Sequence, residues 1–267
     1  MSLLVIGSVA FDDIETPFGR AEKIVGGAGT YISWAASYFV QDMSIISIVG
    51  EDFPESELEA LEQRGVDTSG IKVIEGGKSF FWAGRYHHNL NARDTLVTDL
   101  NVLADFDPVL TPAQKEMDFV MLGNLTPAIQ MSVIRQMARP SKVLALDTMN
   151  YWMDSAMTEL LKVLTHIDLL IINDEEARQL SGEYSLLKAS EIIREMGPKY
   201  LVIKKGEHGA LLFGEDQVFF APALPLNEVQ DPTGAGDTFA GGLMGYLASR
   251  NTIHFEALKQ AIICGSA

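Results

Sequence analysis

Short apolar runs alternate with longer amphipathic stretches along most of this chain. The runs are rich in β-branched residues and are too short for helices, so they predict buried strands. The stretches between them carry apolar residues at helical spacing. The predicted strands cover residues 3–7, 44–49, 119–122, 143–146, 169–172 and 200–204, and the predicted helices cover 30–39, 54–64, 128–138, 155–164, 175–180 and 189–196.

This alternation predicts an α/β domain with a mostly parallel central sheet flanked by helices, because strand–helix–strand units form right-handed crossovers. One section departs from it. Between residues 71 and 107 we find no helical periodicity, and residues 71–74, 79–82 and 95–98 are predicted as strands between Gly or Asn turns. No internal repeat or low-complexity linker interrupts the chain, so we expect one domain over residues 1–267.

Ligand sites in parallel sheets lie at the carboxyl ends of the strands. Four polar residues lie at or just beyond the ends of predicted strands: Asp12, Asp147, Asn173 and Lys205. These ends therefore mark the edge where we expect the functional site.

The run Asp231-Pro232-Thr233-Gly234-Ala235-Gly236-Asp237-Thr238-Phe239 precedes a further apolar helical pattern. Gly234, Ala235 and Gly236 have small side chains or none, so an anion could approach the free N–H groups at the start of the helix. Asp237 could accept a proton beside that anion, and the helix dipole would favour its ionised form. The alternative is an ordinary N-cap after a glycine-rich turn. The run lacks the Lys-Ser/Thr ending of a P-loop and the third Gly of a dinucleotide fingerprint.

Composition limits the classes of partner. The net charge of −16 argues against nucleic acid or an anionic membrane as the main partner. A single cysteine allows no internal disulfide, which favours a reducing, cytoplasmic setting. We find neither a signal-peptide pattern nor an apolar run near the ~20 residues of a membrane span.

The run 231–239 closely resembles the C-terminal signature of the ribokinase-like, or PfkB, carbohydrate kinases. Four other segments resemble motifs of that family in the same order: residues 3–12, Gly26-Gly27-Ala28-Gly29-Thr30-Tyr31, Asn173-Asp174-Glu175-Glu176 and Lys205-Gly206-Glu207-His208-Gly209-Ala210. The resemblance implies a three-layer ribokinase-like fold. It also implies a small β-lid, expected at about residues 11–20 and 71–107, and a possible homodimer through that lid.

The resemblance further implies transfer of the γ-phosphate of ATP to a hydroxyl of a sugar or related polyol. Asp237 would be the catalytic base, and Gly234, Ala235 and Gly236 would form the anion hole. The implied substrate contacts are Asp12, Gly26, Gly27, Tyr31 and Asn124. The implied nucleotide and Mg²⁺–phosphate residues are Asn173, Glu176, Lys205, Gly206, Gly209 and Thr233.

Metal ions are also implied. Glu176 would hold Mg²⁺ through water, while Asp231 and Thr233 match positions that hold a monovalent cation such as K⁺ in some relatives. Asn173 and Glu176 also have the spacing of a capping box, and both roles are compatible.

This sequence departs from the family pattern in three places. Tyr31 stands where many sugar kinases have Asn, and the segment 147–152 lacks an Arg that relatives often carry. Relatives also continue past the position of Ala267, so we expect a shortened C-terminus. The first two departures make ribose and fructose phosphate less expected as acceptors. A nucleoside or cyclic polyol, or a non-catalytic ligand sensor on the same fold, are the alternatives.

Overall fold

A computed structural model of the chain describes residues 1–266, which form two β-sheets and the helices around them. The strands are β1 (Leu3–Ile6), β2 (Ala10–Thr16), β3 (Gly19–Gly26), β4 (Met43–Gly50), β5 (Val66–Ile74), β6 (Phe80–Tyr86), β7 (Arg93–Asp99), β8 (Phe119–Leu122), β9 (Val143–Asp147), β10 (Leu169–Asn173), β11 (Tyr200–Lys204), β12 (Ala210–Gly214) and β13 (Gln217–Ala221). The helices are α1 (Ala28–Ala36), α2 (Glu55–Glu62), α3 (Pro127–Gln136), α4 (Asn150–Ser155), α5 (Met157–Leu164), α6 (Asp174–Ser181), α7 (Leu186–Glu195), α8 (Ala235–Arg250) and α9 (Phe255–Ser266).

The large sheet has nine strands in the order β13-β12-β11-β10-β9-β8-β1-β4-β5. The seven strands from β11 to β5 are parallel, whereas β12 and β13 continue the sheet in antiparallel fashion. All four side chains of β1 and of β8 are buried, as expected for strands that are covered on both faces. The α/β fold class predicted from the alternating pattern is confirmed.

Two apolar cores lie on the two faces of the large sheet. On one face α1, α8 and α9 contribute buried residues such as Ile32, Leu243 and Leu258. On the other face α3, α5, α6 and α7 pack against the strands, for example through Val133 and Val163. Within residues 1–266, every helix falls short of the length and apolar character of a membrane span.

The small sheet has four strands in the order β3-β2-β6-β7. The expected lid range of 71–107 included residues 71–74, the end of β5, which instead pairs in parallel with β4 in the large sheet. Strand β5 begins at Val66, directly after Gly65, so helix α2 and its neighbours form a β4–α2–β5 crossover that continues the regular pattern. The small sheet is therefore built from residues 10–26 and 80–99.

Candidate active site

Three polar residues end adjacent strands at one edge of the large sheet. Asp147 ends β9, Asn173 ends β10 and Lys204 ends β11. The register pairs Ile171 with Asp147 and Asn173 with Lys204, so the three positions follow one another across the sheet. The start of α8 completes this edge, because a Cβ on Gly236 would lie 2.9 Å from Lys204 Nζ.

The first turn of α8 leaves two donors free. Gly234, in the left-handed region with φ 73°, precedes the helix, and its carbonyl accepts the first helical hydrogen bond, from Thr238 at 2.7 Å. The N–H of Ala235 donates to the Pro232 carbonyl at 3.1 Å. The N–H groups of Gly236 and Asp237 make no hydrogen bond to another group in residues 1–266. An anion at this helix start would therefore be bound by these two N–H groups, while Ala235 contributes its small side chain.

Asp237 lies in this first turn and is half-buried. Burial and then the charge of Asp147 raise the pKa of Asp237 to about 7, although Lys204 and Arg93 oppose the rise. With a pKa near neutrality, Asp237 is only partly ionised in the free protein at pH 7. Burial and the nearby carboxylate of Asp147 therefore offset much of the stabilisation that the helix dipole would give to the ionised form.

Lys204 and Asp147 form a buried ion pair. Lys204 Nζ lies 3.6 Å from Asp147 Oδ2, and the two side chains are only 16% and 8% exposed. Burial lowers the pKa of Lys204, but the charges of Asp147, Glu176 and Asp237 raise it above its ordinary value. Lys204 is therefore an ammonium ion surrounded by carboxylates.

Asn173 and Glu176 form the capping box that their spacing allowed. Asn173 Oδ1 accepts from the Glu176 N–H at 2.8 Å, and Glu176 Oε2 accepts from the Asn173 N–H at 2.7 Å. Burial raises the pKa of Glu176 to about 7. The charge of Lys204 lowers this pKa, and the charge of Asp147 raises it by a smaller amount. The capping box fixes one Glu176 oxygen at the strand edge beside Lys204 and Asp147.

Asp12 lies on β2, where the small sheet meets the large one, and is 5% exposed. A Cβ on Gly26 would lie 1.9 Å from Asp12 Oδ2, so only glycine leaves room for this carboxylate. Gly27 has φ 94° and a backbone that packs against Ser8, and its N–H lowers the pKa of Asp12. Burial and then Asp231 raise that pKa to about 7.

The Asp12 charge also raises the pKa of Asp237, which places the predicted substrate ligand and the predicted base in one site. Tyr31 is part of the same site: a Cβ on Gly234 would be 2.5 Å from Tyr31 Cδ2, so the ring packs on the loop before α8. Burial raises the pKa of Tyr31, and the charges of Asp12, Asp231 and Asp237 add to this effect.

The remaining predicted ligands, Asp231, Thr233 and Asn124, are each held by a hydrogen bond. Asp231 Oδ1 accepts from the Thr233 N–H at 2.8 Å, and Thr233 Oγ1 donates to the Tyr86 hydroxyl at 3.2 Å. Asn124 Oδ1 accepts from Trp152 Nε1 at 2.8 Å. The contact between Thr233 and Tyr86 therefore joins the loop before α8 to the small sheet.

Lys205, Gly206 and Gly209 form the turn after β11. The N–H of Lys205 donates to the Gly209 carbonyl at 2.8 Å, and both glycines have positive φ, 54° and 87°. A Cβ on Gly206 would lie 2.6 Å from Asn91 Oδ1, so the loop between β6 and β7 contacts this turn. The small sheet thus touches the site at two places.

Sequence reasoning selected Lys205 and missed Lys204. The available signal was that Lys204 ends the predicted strand 200–204, just as Asp147 and Asn173 end theirs. Within residues 1–266, we find no cluster of three His, Cys, Asp or Glu side chains that could hold a metal ion. A metal here would need ligands from a substrate and from water.

A family model and several known proteins match most of this chain. A model of the pfkB family of carbohydrate kinases matches residues 2–267. The chain is 28% identical over 258 residues to the cytidine kinase of Thermococcus kodakarensis, an alignment that covers 94% of this chain and 90% of that kinase. It is 29% identical over 262 residues to the 2-dehydro-3-deoxygluconokinase of Thermoproteus tenax, with coverage of 91% and 80%.

The fold also matches a solved structure. A putative ribokinase II from E. coli, in complex with ATP and Mg²⁺, superposes with a TM-score of 0.79 at 22% identity. The match covers 99% of this chain and 91% of that chain. At this level of identity the likeness concerns the fold.

Proposed function

The chain belongs to the pfkB family of carbohydrate kinases, which are phosphotransferases with a hydroxyl acceptor, and we propose that Asp237 is the general base of its reaction. The observation that carries the proposal is the position of Asp237. This carboxylate lies in the first turn of α8, beside two N–H groups without protein partners and in the electrostatic field of Lys204 and Asp12. A phosphoryl group on those N–H groups would face a hydroxyl held at Asp12.

The reaction has a simple atomic balance. The acceptor oxygen forms a bond to the γ-phosphorus of ATP while the bond from that phosphorus to the bridging oxygen breaks, and the electron pair leaves with ADP. Asp237 accepts the proton of the acceptor hydroxyl. The N–H groups of Gly236 and Asp237 stabilise the charge on the transferred group, which is the function of an oxyanion hole.

Mg²⁺ fits this site as an ion held mainly by phosphate and water, since one buried carboxylate, Glu176, is available beside the strand edge. When bound, it would neutralise charge on the phosphates. Asn173 orients Glu176 through the capping box. The Lys205-Gly206 turn and Gly209 form the nucleotide side of the site, where ATP is the phosphoryl donor. Asp231 and Thr233 are the ligands proposed for K⁺.

The acceptor is a sugar, a related polyol or a nucleoside, bound by Asp12 and the backbone at Gly26 and Gly27. A nucleoside is the second candidate because Tyr31 offers an aromatic face beside the loop of α8. The 28% identity to a cytidine kinase supports the same candidate. Asn124 lies on the acceptor side, with its carbonyl oxygen oriented by Trp152.

The small sheet acts as a lid over the acceptor and excludes water that would compete for the phosphoryl group. Its edge strand β7 is exposed along its whole length, and such an edge can pair with a second copy of the chain. This homodimer is tested by comparing the molar mass of Leu96→Lys with that of the unchanged protein by light scattering. A dimer that is lost in the variant supports the proposal, and a monomer in both samples contradicts it.

The function is tested by measuring ATP consumption with Mg²⁺ over pentoses, hexoses, sugar phosphates, nucleosides and inositols, with and without K⁺. We expect ADP formation that depends on one class of acceptor. In Asp237→Asn, turnover should fall by at least the ~10²–10⁴-fold typical of general-base catalysis, while ATP binding by calorimetry persists.

Two results would count against the proposal. If Asp237→Asn retains most of its turnover, the base assignment is wrong. If no acceptor in the panel supports turnover while one binds tightly, the non-catalytic sensor becomes the better reading. The matched control is Asp105→Asn. It removes an exposed carboxylate that is distant in sequence from Asp237 and from the other predicted site residues, so turnover should stay unchanged.

A further inference from the structure

Lys204 is a charged side chain in an unusual position. It is the last residue of β11 and only 16% exposed, although an ammonium ion is strongly hydrated in water. Burying such a group is unfavourable unless ion pairs or a bound ligand compensate for the lost hydration. Its position therefore calls for an explanation beyond packing.

The protein supplies only part of that compensation. The distance of 3.6 Å from Lys204 Nζ to Asp147 Oδ2 is that of an ion pair without a short hydrogen bond. An ammonium group has three donors, and one loose ion pair leaves capacity for another acceptor. Glu176 and Asp237 act on Lys204 through their charge.

The direction of the side chain shows where a further acceptor would lie. Lys204 Nζ would be 2.9 Å from a Cβ on Gly236, so the ammonium lies against the first turn of α8. The N–H groups of Gly236 and Asp237 that lack protein partners belong to the same turn. Two positive features of different origin, a helix start and a lysine, thus meet at one point.

Lys205 differs in each of these respects. It lies in the turn after β11, its N–H is bonded to the Gly209 carbonyl, and its side chain is partly exposed. In the part of the chain that the structure describes, Lys205 takes part in no ion pair with a carboxylate. The two lysines are adjacent in sequence, but only one of them approaches α8.

We propose that Lys204 is a catalytic residue that binds the phosphoryl group during its transfer, and that Gly236 is small so that the ammonium can reach it. The inference rests on the proposed kinase function. Lys204 keeps its proton throughout, because the acceptor proton goes to Asp237. Its role is to neutralise charge on the transferred oxygens, and Asp147 holds the ammonium in place before the nucleotide binds.

The test compares Lys204→Met with Lys188→Met, which removes an exposed ammonium on α7 and keeps similar side-chain length. With an acceptor found in the ATP-consumption screen, we expect kcat of Lys204→Met to fall by about 10²–10³-fold, the usual loss for one such donor. Lys188→Met should remain within about threefold of the unchanged protein, and Lys204→Arg should recover at least tenfold over Lys204→Met. Retention of turnover by Lys204→Met would overturn the proposal.

Nucleotide binding gives a second readout that needs no acceptor. Calorimetry with Mg²⁺ should show ADP affinity within threefold of the unchanged protein for Lys204→Met. Affinity for the β,γ-imido analogue of ATP should fall at least tenfold, because only that ligand carries the γ-phosphate. Equal losses for both ligands would overturn a phosphoryl contact and indicate a structural role. This readout also separates the two hypotheses, since it can succeed even if no acceptor is phosphorylated.

Removing the ammonium leaves Asp147 buried without its partner, which could prevent folding of the single variant. The double variant Lys204→Met/Asp147→Asn removes both charges and provides a folded comparison. If the double variant melts like the unchanged protein and still loses kcat and the preference for the ATP analogue, the phosphoryl contact is supported. If it regains full turnover, Lys204 serves only to compensate Asp147 and the proposal fails.

Discussion

Asp237→Asn should make the free protein more stable while it removes activity. In the folded chain, burial and then the charge of Asp147 raise the pKa of Asp237 from its ordinary value of 3.8 to about 7. At about 1.36 kcal/mol per pKa unit, this difference sets an upper limit of about 4 kcal/mol on the cost of ionising Asp237 in the fold. Asp147 and Lys204 change their own ionisation energies together with Asp237, so only part of this cost belongs to Asp237 alone. We therefore expect the substitution to raise the free energy of unfolding by about 1–2 kcal/mol.

The gain has a defined pH dependence. Between pH 4 and pH 7 the unfolded chain has this carboxyl ionised while the folded chain keeps it protonated. The free energy of unfolding therefore falls as the pH rises from about 4 to about 7. Asn has no such titration. The stability difference between Asp237→Asn and the unchanged protein should therefore grow from pH 5, where about a third of it is present, to pH 8, where it is largest.

Thermal unfolding without nucleotide, at pH 5, 6, 7 and 8, measures this difference. For a chain of this size, about 1–2 kcal/mol corresponds to a rise in Tm of about 2–8 °C at pH 8. Asp105→Asn, at an exposed position, should change stability by less than about 0.5 kcal/mol at every pH. An equal gain for Asp237→Asn at pH 5 and pH 8, or no gain at pH 8, would refute the argument from burial and repulsion.

Two further substitutions test the acceptor side and the small sheet. Gly26→Ala should raise the acceptor KM at least tenfold and leave ATP affinity unchanged, because the new Cβ would lie 1.9 Å from Asp12 Oδ2. In the control Gly19→Ala the new Cβ meets open space, so this variant should behave like the unchanged protein. Steady-state kinetics with varied acceptor decides this, and an unaltered KM would show that Asp12 does not bind the acceptor. Tyr86→Phe removes the hydrogen bond to Thr233, which is worth about 1 kcal/mol, so kcat/KM should fall about fivefold. An unchanged kcat/KM would mean that this contact between the small sheet and the loop before α8 does not support the reaction.

The sequence predicted most of the large sheet because its central strands are apolar on both faces. Strands β8 and β11 were predicted with the same ends that the structure gives them. The capping box at Asn173 and Glu176 was also predictable, since it depends on residues three positions apart. Local patterns of this kind are determined by a few neighbouring residues.

Other features depend on residues that are distant in the chain. The assignment of β5 to the large sheet depends on its pairing with β4, and periodicity within β5 gives no information about its partner. The raised pKa of Asp237 results from burial and from Asp147, which belongs to another strand of the fold. Likewise, the choice between Lys204 and Lys205 depends on which side chain the end of β11 directs toward α8.

The small sheet is joined to strand β1 and to helix α1 by very short connections. Only residues 7–9 separate β1 from β2, and only Gly27 separates β3 from α1. Asp12 belongs to the small sheet, whereas Asp237 belongs to a helix packed on the large one. A rotation about these connections would thus separate the two carboxylates that we propose act on the same hydroxyl. If the small sheet closes over the acceptor as we propose, the reactive arrangement forms only in the closed state, which would limit hydrolysis of ATP between turnovers.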